Sequence, residues 1–431
     1  METSNALRAA LDTLRGLDNY ERGFAPYGEA RYDPGKVGAM LIRCGIDVSG
    51  MRIIHVAGTK GKGSASHYAH AVLRALFPDE PAGLYTSPHL FRVNERIRVN
   101  DTEISDEAIE RIVMKRFPMF RETGCTWFDA FTFLAMEYFS EAACRWVILE
   151  TGLGGRLDST NFCRPAVSVI TPVGYDHTAL LGKTLAAIAG EKAGIIKHGV
   201  PVVTAKQNGE ALEVIRTRAE ECGSPLATFN EAVKLSVLSR TPEGSTFDAE
   251  VSGIPVRGIR CVQAGDVFAE NLLLAALAVK EALPFPKFVP ADWANALKTA
   301  GENVHLPGRM EKHGDLLFDV SHNDQSFRAL FDTLRGYFHA GCVDLCVGIL
   351  ADKELECVAA VIRTNAELLH RLTVFDFPSE RPSGGKTLAA LLEGMPGLRY
   401  VESPANVEID PDTFTVVAGS FHSAEWFLEH G

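Results

Sequence analysis

The chain has 431 residues, a formal net charge of −12, and a composition that is 46% hydrophobic and 23% charged. That length exceeds one ordinary core, so two domains are expected. The composition is that of a soluble globular protein, and the acidic balance argues against a general nucleic-acid binder. No apolar run reaches the ~20 residues of a membrane span. The start, "METSNALRAALDTLRGLDNYERG", mixes acids and bases around no signal-peptide core, so a cytoplasmic location is expected. The nine cysteines are scattered, and Cys342 and Cys346 lack a second pair or nearby histidine, so neither a disulfide nor a zinc site is expected.

In chain order, the β-branched runs "RIIHVA" (52–57), "RWVILET" (145–151), "AVSVITPV" (166–173) and "VPVVTA" (200–205) predict buried strands. Between them, "SASHYAHAVLRALF" and "WFDAFTFLAMEYFSEAA" have helical length and composition. This alternation predicts an α/β protein with a mostly parallel sheet covered by helices on both faces. From about 225 to 262 shorter strands and Gly/Pro turns predict a small antiparallel insertion, followed by a helix over "AENLLLAALAVKEAL". After "GENVHLPGRME" the pattern restarts, with strands at 315–320, 344–350, 371–377 and 413–420. The predicted architecture is a P-loop domain over 1–302 and a smaller Rossmann-like α/β domain over 303–431.

The first strand runs into "HVAGTKGKGS" (55–64). A strand, a glycine-rich turn and a helix starting at Lys62 or Gly63 form a phosphate cradle, because backbone N–H groups and the helix N-terminus point at the anion. Lys62 would place a charge on the terminal phosphates, and Ser64 would offer its hydroxyl to Mg²⁺. The run G-T-K-G-K-G-S departs from the general GxxxxGK[ST] spacing by an extra glycine, and a plain surface turn is the alternative. Glu150, at the end of "WVILE", and His177, in "VGYDHTALLG", both follow predicted strands. In an open α/β sheet the carboxyl ends of the strands line the ligand crevice. There Glu150, His177 and Ser64 could share one metal; a loop ion pair and a structural histidine are the alternatives.

"GTKGKGS", "YTSPHLFRVNERIRV", "LETGLGGRLDSTN", "GYDHTALLGKTLAAIAGEKAGIIK", "PGRME" and "DVSHN" occur in that order. Together they resemble the folylpolyglutamate and dihydrofolate synthetases, a branch of the Mur ligases, from about residue 40 to the C-terminus. The resemblance implies an ATP-dependent ligase that joins L-glutamate to a folate or dihydropteroate carboxylate through an acyl phosphate, with 1–302 as its ATPase domain and 303–431 as a glutamate-ligase domain. It assigns the ATP phosphates to Gly61, Lys62, Gly63 and Ser64, and further ATP contacts to Asn271, Arg309 and Asp319. It assigns Mg²⁺ to Ser64, Ser87, Glu150 and His177, with a second Mg²⁺ beside Lys192 carbamylated by CO₂. Without the resemblance, Lys192 would be a surface charge on a helix, and Ser87 a turn cap before Pro88.

On the acceptor side the resemblance points to Phe128, Asp129, Leu157, Asp158 and Ser159, and it gives His322 a role in binding or deprotonating the glutamate amine. It further implies that closure of the second domain brings Arg309, Asp319 and His322 to the cleft. This chain departs from the family pattern at Asp129, where a glutamate is usual, at Phe268, where a glutamine is usual, and in "SHNDQ", which lacks the usual proline. A monomer is expected. Two other classes fit parts of the pattern: a different Mur-type amino-acid ligase, and a nucleotide-binding module without ligase activity.

Overall fold

The computed structural model describes residues 4–19, 32–283, 289–314, 316–379, 381–410, 413–420, 423 and 426–427. The described residues form two compact units. The first takes those of Met1–Leu235, Ala249–Arg257 and Glu270–Gly301; the second takes those of Ser236–Asp248, Gly258–Ala269 and Glu302–Gly431.

The first unit is built on an eight-stranded sheet of β1 (Arg52–Ala57), β2 (Ala82–Tyr85), β3 (Ile97–Val99), β4 (Thr102–Glu103), β5 (Trp146–Glu150), β6 (Val167–Ile170), β7 (Val202–Thr204) and β8 (Leu226–Thr228). The order is β4-β3-β2-β5-β1-β6-β7-β8. β2, β5, β1, β6, β7 and β8 run parallel, while β3 and β4 are antiparallel additions at one edge. β1 lies between β5 and β6, and nearly all of its residues are buried, as expected for a central strand of a parallel sheet with helices on both faces.

One face packs on the helices Gly35–Arg43, Asp106–Glu122 and Trp127–Glu141, around Phe120, Phe131, Phe133 and Phe139. Another core, around Ile170, Ile188, Val202 and Ile215, joins β6 and β7 to the helices Leu185–Ala193 and Gly209–Glu221. Among the described residues no helix is long and apolar enough to cross a membrane.

The antiparallel insertion consists of β9 (Val233–Thr241), β10 (Gly244–Val251) and β11 (Ile254–Cys261), in the order β11-β10-β9. It begins later than the residue-225 boundary expected from sequence, because Leu226–Thr228 pairs in parallel with β7 as the last strand of the large sheet. Three residues are too few to show a period that distinguishes the two kinds of strand.

The second unit carries a six-stranded sheet of β12 (Glu311–His313), β13 (Leu316–Asp319), β14 (Val343–Val347), β15 (Leu369–Phe375), β16 (Leu398–Val401) and β17 (Phe414–Ala418), ordered β12-β13-β17-β14-β15-β16. All pairs are parallel except β12 with β13. The sheet is thus the smaller α/β layer that the restart of the sequence pattern predicts.

Candidate active site

The glycine-rich turn joins β1 to the helix Lys62–Leu76, with Gly61 as its N-cap at φ 78°. Glycine is required there twice over. The left-handed backbone disfavours a side chain, and a Cβ would lie 2.7 Å from Asn271 Oδ1. The same contact brings Asn271, buried on the helix Asp266–Ala282, against the turn. The helix has no acidic residue in its first turn, and the amides of that turn lack intrahelical acceptors, so its N-terminus suits an anion. Gly63 and Ser64 are buried and Lys62 is half-buried. The turn is tied to the segment after β6: Thr59 N–H donates to the Pro172 carbonyl (3.0 Å), and Thr59 Oγ1 and Gly174 N are 3.1 Å apart.

The expected metal residues come from adjacent strand ends. Ser64 follows β1, Ser87 follows β2, Glu150 ends β5 and His177 follows β6, and the sheet orders these strands β2-β5-β1-β6. Two of the four meet: Ser87 N–H donates to Glu150 Oε2 at 3.1 Å, with Glu150 buried. His177 is exposed, in the left-handed conformation, with Nε2 3.8 Å from Asp176 Oδ1. Around them the buried hydroxyls of Thr151 and Thr171 have no hydrogen-bond partner among the described residues. Oxygen-rich donors of this kind suit a hard cation such as Mg²⁺.

Lys192 is buried, not the surface charge that its helix pattern alone predicts. Its Nζ donates to the Gly58 carbonyl of the glycine-rich turn at 2.8 Å. Burial, and then the nearby Lys62 ammonium, push Lys192 down to about 7, while Asp176, Asp158 and Glu191 act in the opposite sense. Its helix, Leu185–Ala193, is held from the other side. Arg156 N–H donates to the Glu191 carbonyl (2.7 Å), and the Arg156 guanidinium meets the Glu191 carboxylate (3.0 Å).

The expected acceptor residues also converge. Asp129 closes a capping box with Thr126 at the start of the helix Trp127–Glu141, and the Ser159 hydroxyl donates to Asp129 Oδ1. The "TWFDA" and "RLDST" segments therefore meet. Phe128 is half-buried over Gly152, where a Cβ would lie 2.5 Å from its ring, and its ring centroid lies 5.9 Å from that of Tyr85. Leu157 is buried. The Asp158 carboxylate accepts from Leu153 N (2.9 Å), Thr160 N (3.0 Å) and Thr160 Oγ1 (2.6 Å), so it holds its own loop, and burial pushes its pKa up.

Several residues here escaped sequence reasoning. Lys36 places Nζ 3.6 Å from Asp129 Oδ2 and donates to the Gly124 carbonyl at 2.9 Å, but it lies in a stretch without a recognisable motif. Arg96 of "VNERIRV" is fully buried, with its guanidinium 4.7 Å from the Trp127 ring centroid and Nε donating to His89 Nδ1 at 2.8 Å. The available signal is an arginine set directly against Ile97 within "VNERIRV".

In the second unit, "PGRME" and "DVSHN" are stitched together. Asp319, at the end of β13, accepts from Met310 N (3.1 Å), Ser321 N (2.9 Å) and the Ser321 hydroxyl. Enclosure pushes the Asp319 carboxyl up, while the hydrogen bonds from Ser321 and Met310, and then Arg309, act in the opposite sense. Val320 N–H donates to the Gly308 carbonyl at 2.8 Å. The buried Gln263 donates to the Arg309 carbonyl at 2.5 Å; no signal in the sequence marks it. His322 donates from Nδ1 to the Val320 carbonyl at 2.8 Å, just before Asn323 caps the helix Asp324–Arg335.

A parallel sheet with a glycine-rich anion turn at its central strand, a strand-end carboxylate beside it and a buried lysine beneath it defines a P-loop α/β protein. Residues 56–279 match the Mur ligase middle domain. The chain is 34% identical to the dihydrofolate synthase/folylpolyglutamate synthase of Bacillus subtilis, over 80% of this chain and 81% of that protein. It is 31% identical to the folylpolyglutamate synthase of Lacticaseibacillus casei, over 86% of this chain and 88% of that protein. It also resembles the structure of Escherichia coli FolC in complex with ADP, without folate substrate, at TM-score 0.80 and 25% identity, covering 99% of this chain and 98% of that one. The chain belongs to the folylpolyglutamate and dihydrofolate synthase family of Mur ligases.

Proposed function

We propose that the protein is an ATP-dependent ligase that forms an amide between the amine of L-glutamate and the carboxylate of a folate or dihydropteroate. The observation that carries the reading is the convergence of the glycine-rich turn, the Ser87–Glu150 pair and buried Lys192 near the carboxyl ends of neighbouring central strands. Joining two carboxylate substrates with ATP brings several anions together, so the site's main task is to neutralise charge. Gly61, Lys62, Gly63 and Ser64 receive the phosphates, with Asn271 bracing the turn. The acceptor carboxylate takes the γ-phosphoryl group, and the glutamate amine then displaces phosphate from the acyl phosphate.

Ser64, Ser87, Glu150 and His177 would hold Mg²⁺, which when bound supplies charge neutralisation at the phosphoryl oxygens. A carbamate on Lys192 would hold a second Mg²⁺. A lysine pushed down to about 7 is substantially neutral near pH 7, the form that adds CO₂. On the acceptor side Phe128 offers a ring face, and Asp129, Leu157, Asp158 and Ser159 define one adjoining surface. Arg309, Asp319 and His322 act from the second unit, the first two on nucleotide. His322 acts on the amine, with its Nδ1 donating to the Val320 carbonyl. The reading carries with it a cytoplasmic monomer acting on small molecules, with 1–302 and 303–431 as its working domains. Phosphate release that needs both L-glutamate and a pteroate-class acceptor tests it; release that needs neither would leave a nucleotide hydrolase.

A further inference from the structure

His55 is the one fully buried imidazole of β1, three residues before Gly58, and the reaction outlined above does not use it. Its Nε2 lies 2.8 Å from Thr160 Oγ1, and its Nδ1 lies 3.8 Å from Cys163 Sγ. The Thr160 hydroxyl donates its proton to Asp158 Oδ1 at 2.6 Å, and Thr160 N–H donates to the same oxygen at 3.0 Å. A threonine hydroxyl has a single proton, so toward His55 its oxygen accepts. The proton of the neutral imidazole therefore sits on Nε2. Nδ1 presents its lone pair to the Cys163 thiol, which donates. Every direction in the chain Cys163, His55, Thr160, Asp158 is then fixed.

We propose that His55 is a positioning residue for the acceptor loop: through the Thr160 hydroxyl it locks Asp158, and so the placement of Leu157 and Ser159 against Asp129. The inference rests on the acceptor reading of residues 157–159 given above. The geometry gives the lock its effect. Asp158 closes its loop by taking Leu153 N–H on one oxygen and Thr160 on the other, and Ser159 reaches Asp129 from the same turn. The imidazole is fully enclosed and sits on a strand held from both sides, His55 opposite Leu149 in β5 and opposite Ser168 in β6. Mere filling of that space would need only an apolar side chain; holding Thr160 in one rotamer needs an N–H donor at the Nε2 position. β1 also leads into the phosphate turn, so one strand supports both the nucleotide and the acceptor sides.

The test compares full-length wild type with His55→Leu, His55→Gln, Thr160→Val and Thr160→Ser, with dihydropteroate or tetrahydrofolate as acceptor. Gln restores an N–H donor near the Nε2 position, and Ser restores the hydroxyl. Loss of the bond in His55→Leu or Thr160→Val should raise the acceptor KM about tenfold while the ATP KM stays within about twofold. His55→Gln and Thr160→Ser should stay within about threefold of wild type in both. Thr160→Val keeps the test open if His55→Leu does not fold. An acceptor KM unmoved in Thr160→Val, equal rises in both KM values, or a Gln variant as impaired as Leu would overturn the proposal. Nitrogen-15 NMR of labelled histidine adds a readout that needs no turnover: the wild-type His55 proton should sit on Nε2 at pH 7, and a proton on Nδ1 would contradict the chain. A wild type inert toward every pteroate acceptor sinks the acceptor reading and this role with it, while the tautomer still reports on the hydrogen bonds themselves.

Discussion

Glu150, at the end of β5, and Lys192, on the helix Leu185–Ala193, are buried ionisable side chains near the glycine-rich turn, and each makes a distinct prediction. Glu150→Gln keeps the shape and the acceptor for Ser87 N–H but removes the charge. Amide formation should fall by more than about a hundredfold with the thermal midpoint little changed. Near-normal turnover at saturating Mg²⁺ would remove Glu150 from the metal set.

For Lys192, stripping CO₂ and bicarbonate should lower activity reversibly, and Lys192→Ala should be nearly inactive but partly rescued by a small carboxylate. The sign with pH follows from its position near 7. Below that value the ammonium dominates and cannot add CO₂, so more bicarbonate should be needed at pH 6 than at pH 8. Active enzyme in carbon-13 bicarbonate that shows no lysine-carbamate NMR signal would contradict the carbamate.

Much of this scale was legible in the chain. Gly61 to Ser64 are contiguous, so their chemistry is local. Lys192 was not legible without the family pattern, because its burial depends on Gly58, 134 residues away in sequence. Gln263 and Lys36 make contacts that no local pattern announces.

At the scale of elements, the turn after β1 and the loop after β5 each depend on a glycine. Gly61→Ala meets both a φ of 78° and the Asn271 amide, a cost of about 1–2 kcal/mol from the backbone alone. Its ATP KM should rise while the acceptor KM holds. Gly152→Ala should behave oppositely, since the added methyl displaces the Phe128 ring: an acceptor KM raised about tenfold, measured at saturating ATP. If both variants shift both constants alike, the separation of the two surfaces fails. The strands that carry these loops were the most readable part of the sequence, because central parallel strands are uninterrupted apolar runs. β8 is not, since two half-buried residues and one buried residue carry no period, and the sequence alone therefore places the start of the insertion too early.

For the whole molecule, buried neutral histidines set an acid limit on stability. Burial pushes His55 down to about 3 and His70 down to about 4, against an ordinary value of 6.5. Between those values the unfolded chain binds protons that the folded chain does not. Stability is therefore lost as pH falls below about 6.5, by up to about 1.4 kcal/mol per pH unit for each histidine. Thermal midpoints should drop from pH 7 to pH 5, and His70→Gln, which retains a donor toward the Ala82 carbonyl, should flatten part of that drop. An unchanged slope would show that carboxylates alone govern the acid transition.

The central claim concerns chemistry, and the most direct measurement is the mass of the acceptor. Purified protein is incubated with ATP, Mg²⁺, bicarbonate and L-glutamate, with either dihydropteroate or tetrahydrofolate, and the acceptor is analysed by mass spectrometry. The account predicts that at least one acceptor gains a glutamyl residue, only when ATP and L-glutamate are both present. ATP hydrolysis that leaves both acceptors unchanged would contradict it.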